Sequence, residues 1–187
     1  PYIRSEVRNG ELKIWTKRGN LRFSQAPVYT LAVRDLDRLQ LSGSLHAEIE
    51  ALKTDRFRGG VSGSGTITVG SLEAQSVKAG ISGSGTLSIG EGSAESLDLS
   101  VSGSGNLRAA DFRAEHVEVS ISGSGDARVW ATESLDARVS GSGDIRYRGA
   151  PQVSSSISGS GKIRQVQLAE GAVAPSGPES GGGVACA

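Results

Sequence analysis

The amino-acid sequence predicts an all-β fold, a single-domain parallel β-helix (β-solenoid) with coils of about 18–20 residues. Three observations support this prediction. A short motif recurs at a nearly fixed interval, apolar and polar residues alternate around each copy, and the apolar side chains are mostly small. A fixed period of this size is typical of stacked-repeat proteins, in which each repeat contacts only its neighbours.

The repeated motif is an apolar residue followed by Ser-Gly-Ser, and it occurs seven times. A glycine follows in every copy after the first, where Leu45 holds that place. Successive copies are separated by 20, 20, 20, 20, 18 and 18 residues. They begin at Leu41, Val61, Ile81, Val101, Ile121, Val139 and Ile157.

The residues around each motif alternate in the way expected of a strand with one buried side. Val101, Leu107 and Ala109 fall on one face, and Ser102 and Arg108 fall on the other. This period of two is typical of β-strands, and no segment shows the period of 3.6 that a helix requires.

The two shorter intervals also fit a stack of coils. Both lose residues from the polar connection, where residues 130–133 replace residues 110–115. A change confined to a connection leaves the strands of neighbouring coils in register, so the repeat continues through it.

The glycines of the motif are predicted to be structural. We expect them to face inward, where glycine lets opposite walls or a sharp corner approach closely, because it removes the side chain and permits unusual backbone angles. Gly103→Val should therefore overpack the core, at a cost of about 1–3 kcal/mol. The corresponding glycines are Gly63, Gly83, Gly103, Gly123, Gly141 and Gly159. The serines should form two outward columns, one beginning at Ser62 and one at Ser64, which can hydrogen-bond along the stack.

The composition excludes several classes of protein. The formal net charge is zero, so no overall field favours nucleic acid or an anionic membrane. No apolar run approaches the 18 or so residues of a transmembrane helix, and no signal peptide is visible. Apolar residues make up 36% and aromatic residues 4% of the chain, which suits a thin core. The single cysteine, Cys186, cannot form an internal disulfide.

The domain organisation is predicted in three parts. Residues 1–40 fit the period poorly and should form irregular first coils that cap one end of the stack. Strands are expected at residues 11–15 and 28–33, with turns at Asn9-Gly10 and Gly19-Asn20. Residues 41–168 form the solenoid, continuous with the cap. Residues 169–187, with two prolines and three consecutive glycines, form a disordered tail or linker.

These residues and spacings resemble the GIN-domain family, a bacterial domain of unknown function described as the head of auto-transporter adhesins. The resemblance covers residues 9–14, residues 36–44 and every later Ser-Gly-Ser-Gly copy, up to Arg164. It implies a β-helix exported to the periplasm or to the bacterial cell surface. It supplies no catalytic residues.

Stacking the coils in register predicts columns of charged side chains. One column contains four arginines about 5 Å apart, which we call the arginine ladder. It runs Thr68, Ser88, Arg108, Arg128, Arg146 and Arg164. The adjacent column runs Thr66, Thr86, Asn106, Asp126, Asp144 and Lys162. On the opposite flank acids align in two columns, Glu95, Glu115 and Glu133, and Asp98, Glu118 and Asp136.

Two interpretations of the arginine ladder stay open. In the first, Arg108, Arg128, Arg146 and Arg164, with Trp130 nearby, bind an extended anion such as an acidic polysaccharide, because arginine suits carboxylate and sulfate groups. In the second, Asp126 and Asp144 pair with Arg128 and Arg146, and the ladder is a solvated surface without a specific role.

Catalysis and metal binding have weaker support in the sequence. Asp126 and Asp144 could form a carboxylate pair for glycoside hydrolysis, but pairing with arginine would lower their pKa values and oppose an acid role. Aspartate follows the motif in only two coils, which does not match the repeats of calcium-binding β-rolls. His46 and His116 are far apart in coil order, so no zinc site is expected. The sequence predicts no catalytic residues, no metal and no cofactor.

The function predicted from these observations is a non-enzymatic binding or structural module of the bacterial cell envelope. The partner would be a glycan or another envelope protein, not nucleic acid, and the location would be extracytoplasmic. Two alternatives remain: a polysaccharide-degrading enzyme on the same scaffold, and a solenoid that self-assembles through its ends.

Overall fold

The computed structural model describes residues 3–8, 11–16 and 36–166. By its internal contacts the chain divides into two compact units, residues 1–33 and 34–187. The described residues form eleven strands and no helix, so the all-β prediction is confirmed. The strands are β1 (Ile3–Arg8), β2 (Glu11–Thr16), β3 (Arg38–Gly43), β4 (His46–Gly63), β5 (Thr66–Gly83), β6 (Thr86–Gly103), β7 (Asn106–Gly123), β8 (Asp126–Gly141), β9 (Asp144–Arg148), β10 (Gln152–Gly159) and β11 (Lys162–Gln165).

The first unit contains an antiparallel pair of strands. β1 and β2 pair so that Ile3 lies opposite Thr16 and Arg8 lies opposite Glu11. The strand predicted at residues 11–15 is therefore confirmed. The predicted strand at residues 28–33 and both predicted turns lie outside the described residues, as does the predicted tail. The capping role of the first 40 residues stays a prediction.

The second unit is a parallel β-solenoid of about six turns, as predicted. Each strand pairs in parallel with the strand one coil away, in the order β3, β4, β5, β6, β7, β8, β9 and β11, and β10 also pairs with β8. The motif residues stack directly, since Val61 lies opposite Ile81 and Ile81 opposite Val101. The 20-residue sequence period is therefore one coil of the solenoid.

Each coil has three stretches of pairing, which we call the first, second and third walls. In β5 they are residues 66–69, 71–73 and 76–83, and the residues between them turn the corners without pairing to the next coil. Within each wall the apolar side chains alternate inward. Ile67 and Val69 are buried in the first wall, Leu72 in the second, and Val77 in the third.

The core is a thin column of mainly aliphatic side chains. Two phenylalanines, Phe57 and Phe112, are the largest side chains in it, and both are fully buried. No charged or polar residue is buried in the part of the chain that the structure describes. Burial of these small apolar residues against the coils above and below is the main stabilising contribution.

The two glycines of each motif are needed for different reasons. Gly105 is buried, and a Cβ at this position would lie 2.5 Å from Cγ2 of Ile81. Gly103 is only partly buried. It has a φ of +118°, and a Cβ there would lie 2.5 Å from the carbonyl oxygen of Gly83. Gly103 therefore turns a corner and does not face the core as predicted, whereas Gly105 does face the core and makes room in it. The same positive φ occurs at Gly63, Gly83, Gly123, Gly141 and Gly159.

The serine columns lie at the same corner. Ser82 pairs with Ser102, as the predicted register requires. In the second column the backbone N–H of Ser104 donates to the carbonyl oxygen of Gly83 at 2.9 Å, and the same bond recurs in successive coils. The motif thus stabilises the corner through the backbone of each serine and the glycine one coil earlier.

The first shortened coil loses its residues at the second wall. Ala109 lies opposite Val129 and Arg113 lies opposite Trp130, so residues 110–112 have no counterpart in β8. Two residues then stand opposite Glu115, because Ala114 pairs with Ala131 and His116 pairs with Ser134. The net loss of two residues falls within the connection predicted from the sequence.

Candidate functional site

The arginine ladder lies on the first wall, and the register of the strands confirms its alignment. Arg108 lies opposite Arg128, Arg128 opposite Arg146, and Arg146 opposite Arg164. The flanking residues Leu107 and Ala109 are buried, so alternation directs the arginines outward. The backbones of neighbouring arginines in the ladder are therefore about 4.8 Å apart.

Three of the four arginines of the ladder form no ion pair within residues 36–166. Arg108, Arg128 and Arg164 are exposed. Across residues 36–166 none of these three has a carboxylate oxygen within 4.0 Å. Arg146 is half-buried, with Nη2 3.5 Å from Oδ2 of Asp144. Like charges held at this spacing repel each other, and binding of an anion would relieve that repulsion.

The adjacent aspartates bind the backbone of the following coil. The backbone N–H of Asp144 donates to Oδ1 of Asp126 at 3.2 Å, and the N–H of Lys162 donates to Oδ1 of Asp144 at 3.1 Å. Each of the two carboxylates therefore accepts a hydrogen bond from the backbone of the next coil. The predicted ion pair forms between Asp144 and Arg146, whereas Asp126 and Arg128 do not form one in the described chain.

Trp130 lies two residues after Arg128 on β8 and is covered by Arg148. The two residues are paired across β8 and β9, and the guanidinium carbon of Arg148 lies 4.8 Å from the centroid of the indole ring. Nη1 of Arg148 also donates to the carbonyl oxygen of Ala110 at 2.7 Å and to Oδ1 of Asp111 at 2.9 Å. One face of Trp130 is therefore occupied from within the chain, next to the ladder.

The contact with Arg148 was not predicted from the sequence. It joins residues 37 and 38 positions apart, which is two coils in this part of the chain. It also depends on the three residues of β7 that have no counterpart in β8, since Ala110 and Asp111 belong to them. The one sequence signal near this contact is the shortened interval of 18 residues between the motifs at Ile121 and Val139.

A third-wall column of charges changes sign along the solenoid. Its acidic half, Asp98, Glu118 and Asp136, was predicted and is confirmed by the register. Its basic half was missed, although the same 20-residue spacing would have found it. We call the whole set the third-wall charge column: Arg38, Arg58, Lys78, Asp98, Glu118 and Asp136.

Ion pairs within the chain occupy the middle and the acidic end of this column. Nζ of Lys78 donates to Oδ2 of Asp98, and this hydrogen bond raises the pKa of Lys78. Arg138, in the neighbouring column, contacts both Glu118 and Asp136, and its hydrogen bond to Glu118 raises the pKa of Arg138. A shallow groove of about 510 Å³ lies on the acidic half and is lined by all three acids.

Three exposed side chains with possible metal-ligand atoms lie close together on the surface. Glu115, His116 and Glu133 each place a ligand atom within 4.8 Å of the others. Nδ1 of His116 lies 2.9 Å from Oγ of Ser134, and Nε2 lies 3.7 Å from Oε2 of Glu133. The extra residue of β8 opposite Glu115 brings these groups together. We interpret the arrangement as a set of polar contacts on the surface.

The geometry gives little support to a hydrolase. One groove, of about 510 Å³, lies on the third wall, and another, of about 720 Å³, lies near the second wall around Glu73. Neither groove is lined by Asp126 or Asp144. These two carboxylates instead lie on an open, ladder-like surface and accept backbone hydrogen bonds.

Fold and surface together define a class of protein: a parallel β-solenoid whose walls carry side chains in ordered columns. The sequence matches the family described as "Putative auto-transporter adhesin, head GIN domain" over residues 1–151. The chain belongs to this family, as the motif resemblance indicated. No curated protein matches the sequence significantly. In the described part of the chain, no helix is long and apolar enough to span a membrane.

Solved structures of similar proteins share the fold. A "putative adhesin" of Bacteroides fragilis has a TM-score of 0.72 and 29% identity, covering 88% of this chain and 77% of that one. A "putative adhesin" of Parabacteroides distasonis has a TM-score of 0.67 and 27% identity, with coverages of 89% and 79%. A "putative lipid binding protein" of the same species has a TM-score of 0.66 and 29% identity, also with coverages of 89% and 79%.

Proposed function

We propose that this chain is a non-enzymatic, adhesin-like binding module outside the bacterial cytoplasm, and that the arginine ladder binds an extended polyanion such as an acidic polysaccharide. The family and the adhesin-named relatives support the coarser part of this proposal, a surface module. The exposure of Arg108, Arg128 and Arg164, which form no ion pair within residues 36–166, carries the finer part.

The geometry of the ladder suits a repeating ligand. Its arginines recur at one coil spacing along a straight column, and the acidic groups of a polyanion also recur at a regular spacing. Each guanidinium can bind a carboxylate or sulfate through two N–H donors. Because the strands are rigidly paired, the arginines are already placed before the ligand arrives, which lowers the entropic cost of binding.

Trp130 and Arg148 extend this surface at one edge. The guanidinium of Arg148 stacks on the indole, and its Nη1 is held by Ala110 and Asp111. We propose that this edge contacts the ligand beside the ladder. Since Arg148 is already neutralised in part by Asp111, the main attraction comes from Arg108, Arg128, Arg146 and Arg164.

The proposal is tested by screening the whole chain against acidic and neutral glycans at low and physiological salt. We expect selective binding to the acidic glycans, weakened by salt, because added ions screen exposed charges beyond about 8–10 Å. The double substitution Arg128→Ser/Arg146→Ser should reduce the affinity about tenfold or more, the effect expected of losing two charged contacts.

The matched control is Lys53→Ser/Arg113→Ser, which removes the same charge from exposed positions on the second wall. This control should bind like the unmodified chain. Equal losses in the two double variants would show that only net charge matters. Unchanged binding in Arg128→Ser/Arg146→Ser would overturn the assignment to the ladder. Vesicles with anionic lipid form a second arm, because one structural relative is named as lipid-binding.

A second candidate function is self-assembly through the end of the stack. In the last coil, Val153 and Ile157 are 43% and 46% exposed. β10 pairs with β8 alone among the described strands, so its other edge has no strand partner there. Open edges of this kind favour addition of further strands. End-to-end growth would give filaments, detected as light scattering that rises with time and with protein concentration.

A further inference from the structure

The third-wall charge column has a symmetry of its own. Three bases occupy three successive coils, and three acids occupy the next three. The sign changes once, between Lys78 and Asp98. A column with this order is complementary to itself when one copy is reversed, because the basic half of each copy then faces the acidic half of the other.

We propose that the third wall binds a second copy of this chain in an antiparallel, two-fold symmetric dimer. A two-fold axis lying across the wall between Lys78 and Asp98 keeps each column opposite itself and reverses the order of the coils. It brings Lys78 opposite Asp98 of the second copy, Arg58 opposite Glu118 and Arg38 opposite Asp136. Each pair occurs twice, as in any isologous interface.

Two columns on the C-terminal side of the charges allow the two walls to approach closely, whereas the column on the N-terminal side carries Arg56 and His116 at the edge of the wall. The next outward column contains Gly60, Gly80, Ser100 and Ser120 in its four central coils. Under the same two-fold axis Gly80 faces Ser100 and Gly60 faces Ser120. The column after it consists of serines throughout, from Ser42 to Ser158. No bulky side chain of these two columns, apart from those near the ends, would hold the walls apart.

The wall is large enough for a stable interface. Its paired stretch is eight residues wide, from Ser76 to Gly83 in β5. At about 3.3 Å per residue and about 4.8 Å per coil, six coils give an area of about 750 Å² for each copy. A standard interface between proteins buries about 800 Å² on each partner.

The charges of the basic half are available for such a contact. Arg38 and Arg58 are exposed, and in residues 36–166 neither has a carboxylate oxygen within 4.0 Å. On the acidic half, the carboxylates of Asp98, Glu118 and Asp136 line a shallow groove. The side chain of an incoming arginine can lie along this groove with its guanidinium against an acid.

The pairs within the chain are compatible with dimer formation. Lys78 and Asp98 already form an ion pair, and two such pairs would meet at the axis in a ring of alternating charge. Arg138 contacts Glu118 and Asp136 at the acidic end. Each of these acids has a second oxygen for a base of the other copy, since a carboxylate accepts more than one hydrogen bond.

The test is the molar mass of the full chain, measured by sedimentation equilibrium over a range of protein and salt concentrations. We expect a species of twice the 19.2 kDa chain mass, weakened by high salt. Arg58→Glu sets a carboxylate against Glu118 of the second copy, and Glu118→Arg sets a guanidinium against Arg58. Each single variant should raise the dimer dissociation constant about tenfold or more, because like charges then meet twice.

The decisive measurement mixes the two single variants in equal amounts. In the mixed dimer each altered side chain meets the other altered side chain, of opposite charge, at one of the two equivalent contacts, and the unaltered pair forms at the other. A heterodimer should therefore form with an affinity near that of the unmodified chain. Arg113→Glu is the control for the charge change, since Arg113 is exposed and lies outside the third wall; it should dimerise normally.

Three results would overturn the proposal: a monomer at all concentrations, a dimer that tolerates both single variants, or variants that fail to combine on mixing. Circular dichroism of each variant checks that the fold is retained. Filaments that ignore these substitutions would indicate end-to-end association instead. Because the glycan screen uses variants of a different wall, failure of the dimer and failure of the proposed function are distinguishable.

Discussion

Arg148 and Trp130 stack across neighbouring coils, with the guanidinium carbon 4.8 Å from the centroid of the indole ring. The same guanidinium donates to the backbone carbonyl of Ala110 and to the carboxylate of Asp111. The arginine thus connects β9 to two of the three residues of β7 that have no counterpart in β8. This contact stabilises the solenoid at the point where the coil length changes.

Loss of this contact should lower stability. Arg148 has a side chain only 16% exposed, and Arg148→Ala removes two hydrogen bonds and a cation–π contact. We expect a loss of about 1–2 kcal/mol in the free energy of unfolding. In a Trp15→Phe background, fluorescence of Trp130 should shift to longer wavelength as water reaches the ring. Arg148→Lys should lose nearly as much, since lysine lacks the planar fork; full retention of stability would contradict this account.

A pair of glycine substitutions separates backbone strain from collision. Gly43 has a φ of +93° with nothing within 4 Å of a Cβ, whereas at Gly103 the Cβ would meet the carbonyl oxygen of Gly83 at 2.5 Å. Gly43→Ala should cost about 1 kcal/mol from strain alone. Gly103→Ala should cost about 3 kcal/mol, because the coils must also move apart. Urea unfolding measures the loss of unfolding free energy in each variant. Equal losses would show that the Cβ of Gly103→Ala does not collide with the carbonyl oxygen of Gly83.

The side chain of Phe112, on the second wall of β7, packs in the core. It is fully buried and lies opposite Gly92 of the previous coil. Phe112→Ala should cost about 3–5 kcal/mol through the lost apolar contact and the cavity left behind. Phe112→Leu should cost less than about 1.5 kcal/mol, since it keeps most of the volume. Urea unfolding checks both values. A loss for alanine below about 0.5 kcal/mol, the range usual at a surface position, would mean that the ring does not support the core.

The ion pair between Lys53 and Glu73 predicts a pH dependence of known sign. Nζ of Lys53 donates to Oε2 of Glu73 at 2.8 Å, and this hydrogen bond lowers the pKa of the Glu73 carboxyl below 4.5. A lowered folded-state pKa contributes stability that is present above the unfolded pKa and is lost as pH falls through the folded one.

An NMR titration of the Glu73 carboxyl checks this prediction. In Lys53→Met its pKa should rise toward 4.5, the ordinary value for glutamate. The variant should also lose less stability than the unmodified chain as pH falls below that value. Both groups are exposed, so the effect on stability should be small. A pKa of Glu73 that does not move would show that the pair does not form in solution.

The sequence alone predicted the solenoid and the alignment of its columns. Because the side chains of a parallel stack repeat with the coil, residues 20 apart become neighbours, and Arg108 could be placed beside Arg128 by counting. The predicted acidic column was correct for Asp98, Glu118 and Asp136. The basic half of the same column, which ends at Lys78, follows from the same 20-residue spacing but was not predicted.

Tertiary structure decided which contacts the side chains make. The sequence did not show that Asp126 would accept a backbone N–H rather than pair with Arg128, or that Arg148 would cover Trp130. The reason is physical: strand register depends on a strong periodic signal of buried apolar residues. The conformations of exposed charged side chains depend on small differences in energy between competing partners. The sequence period therefore determines the strand register, whereas the partner of a long exposed side chain is determined by which groups the folded structure brings within its reach.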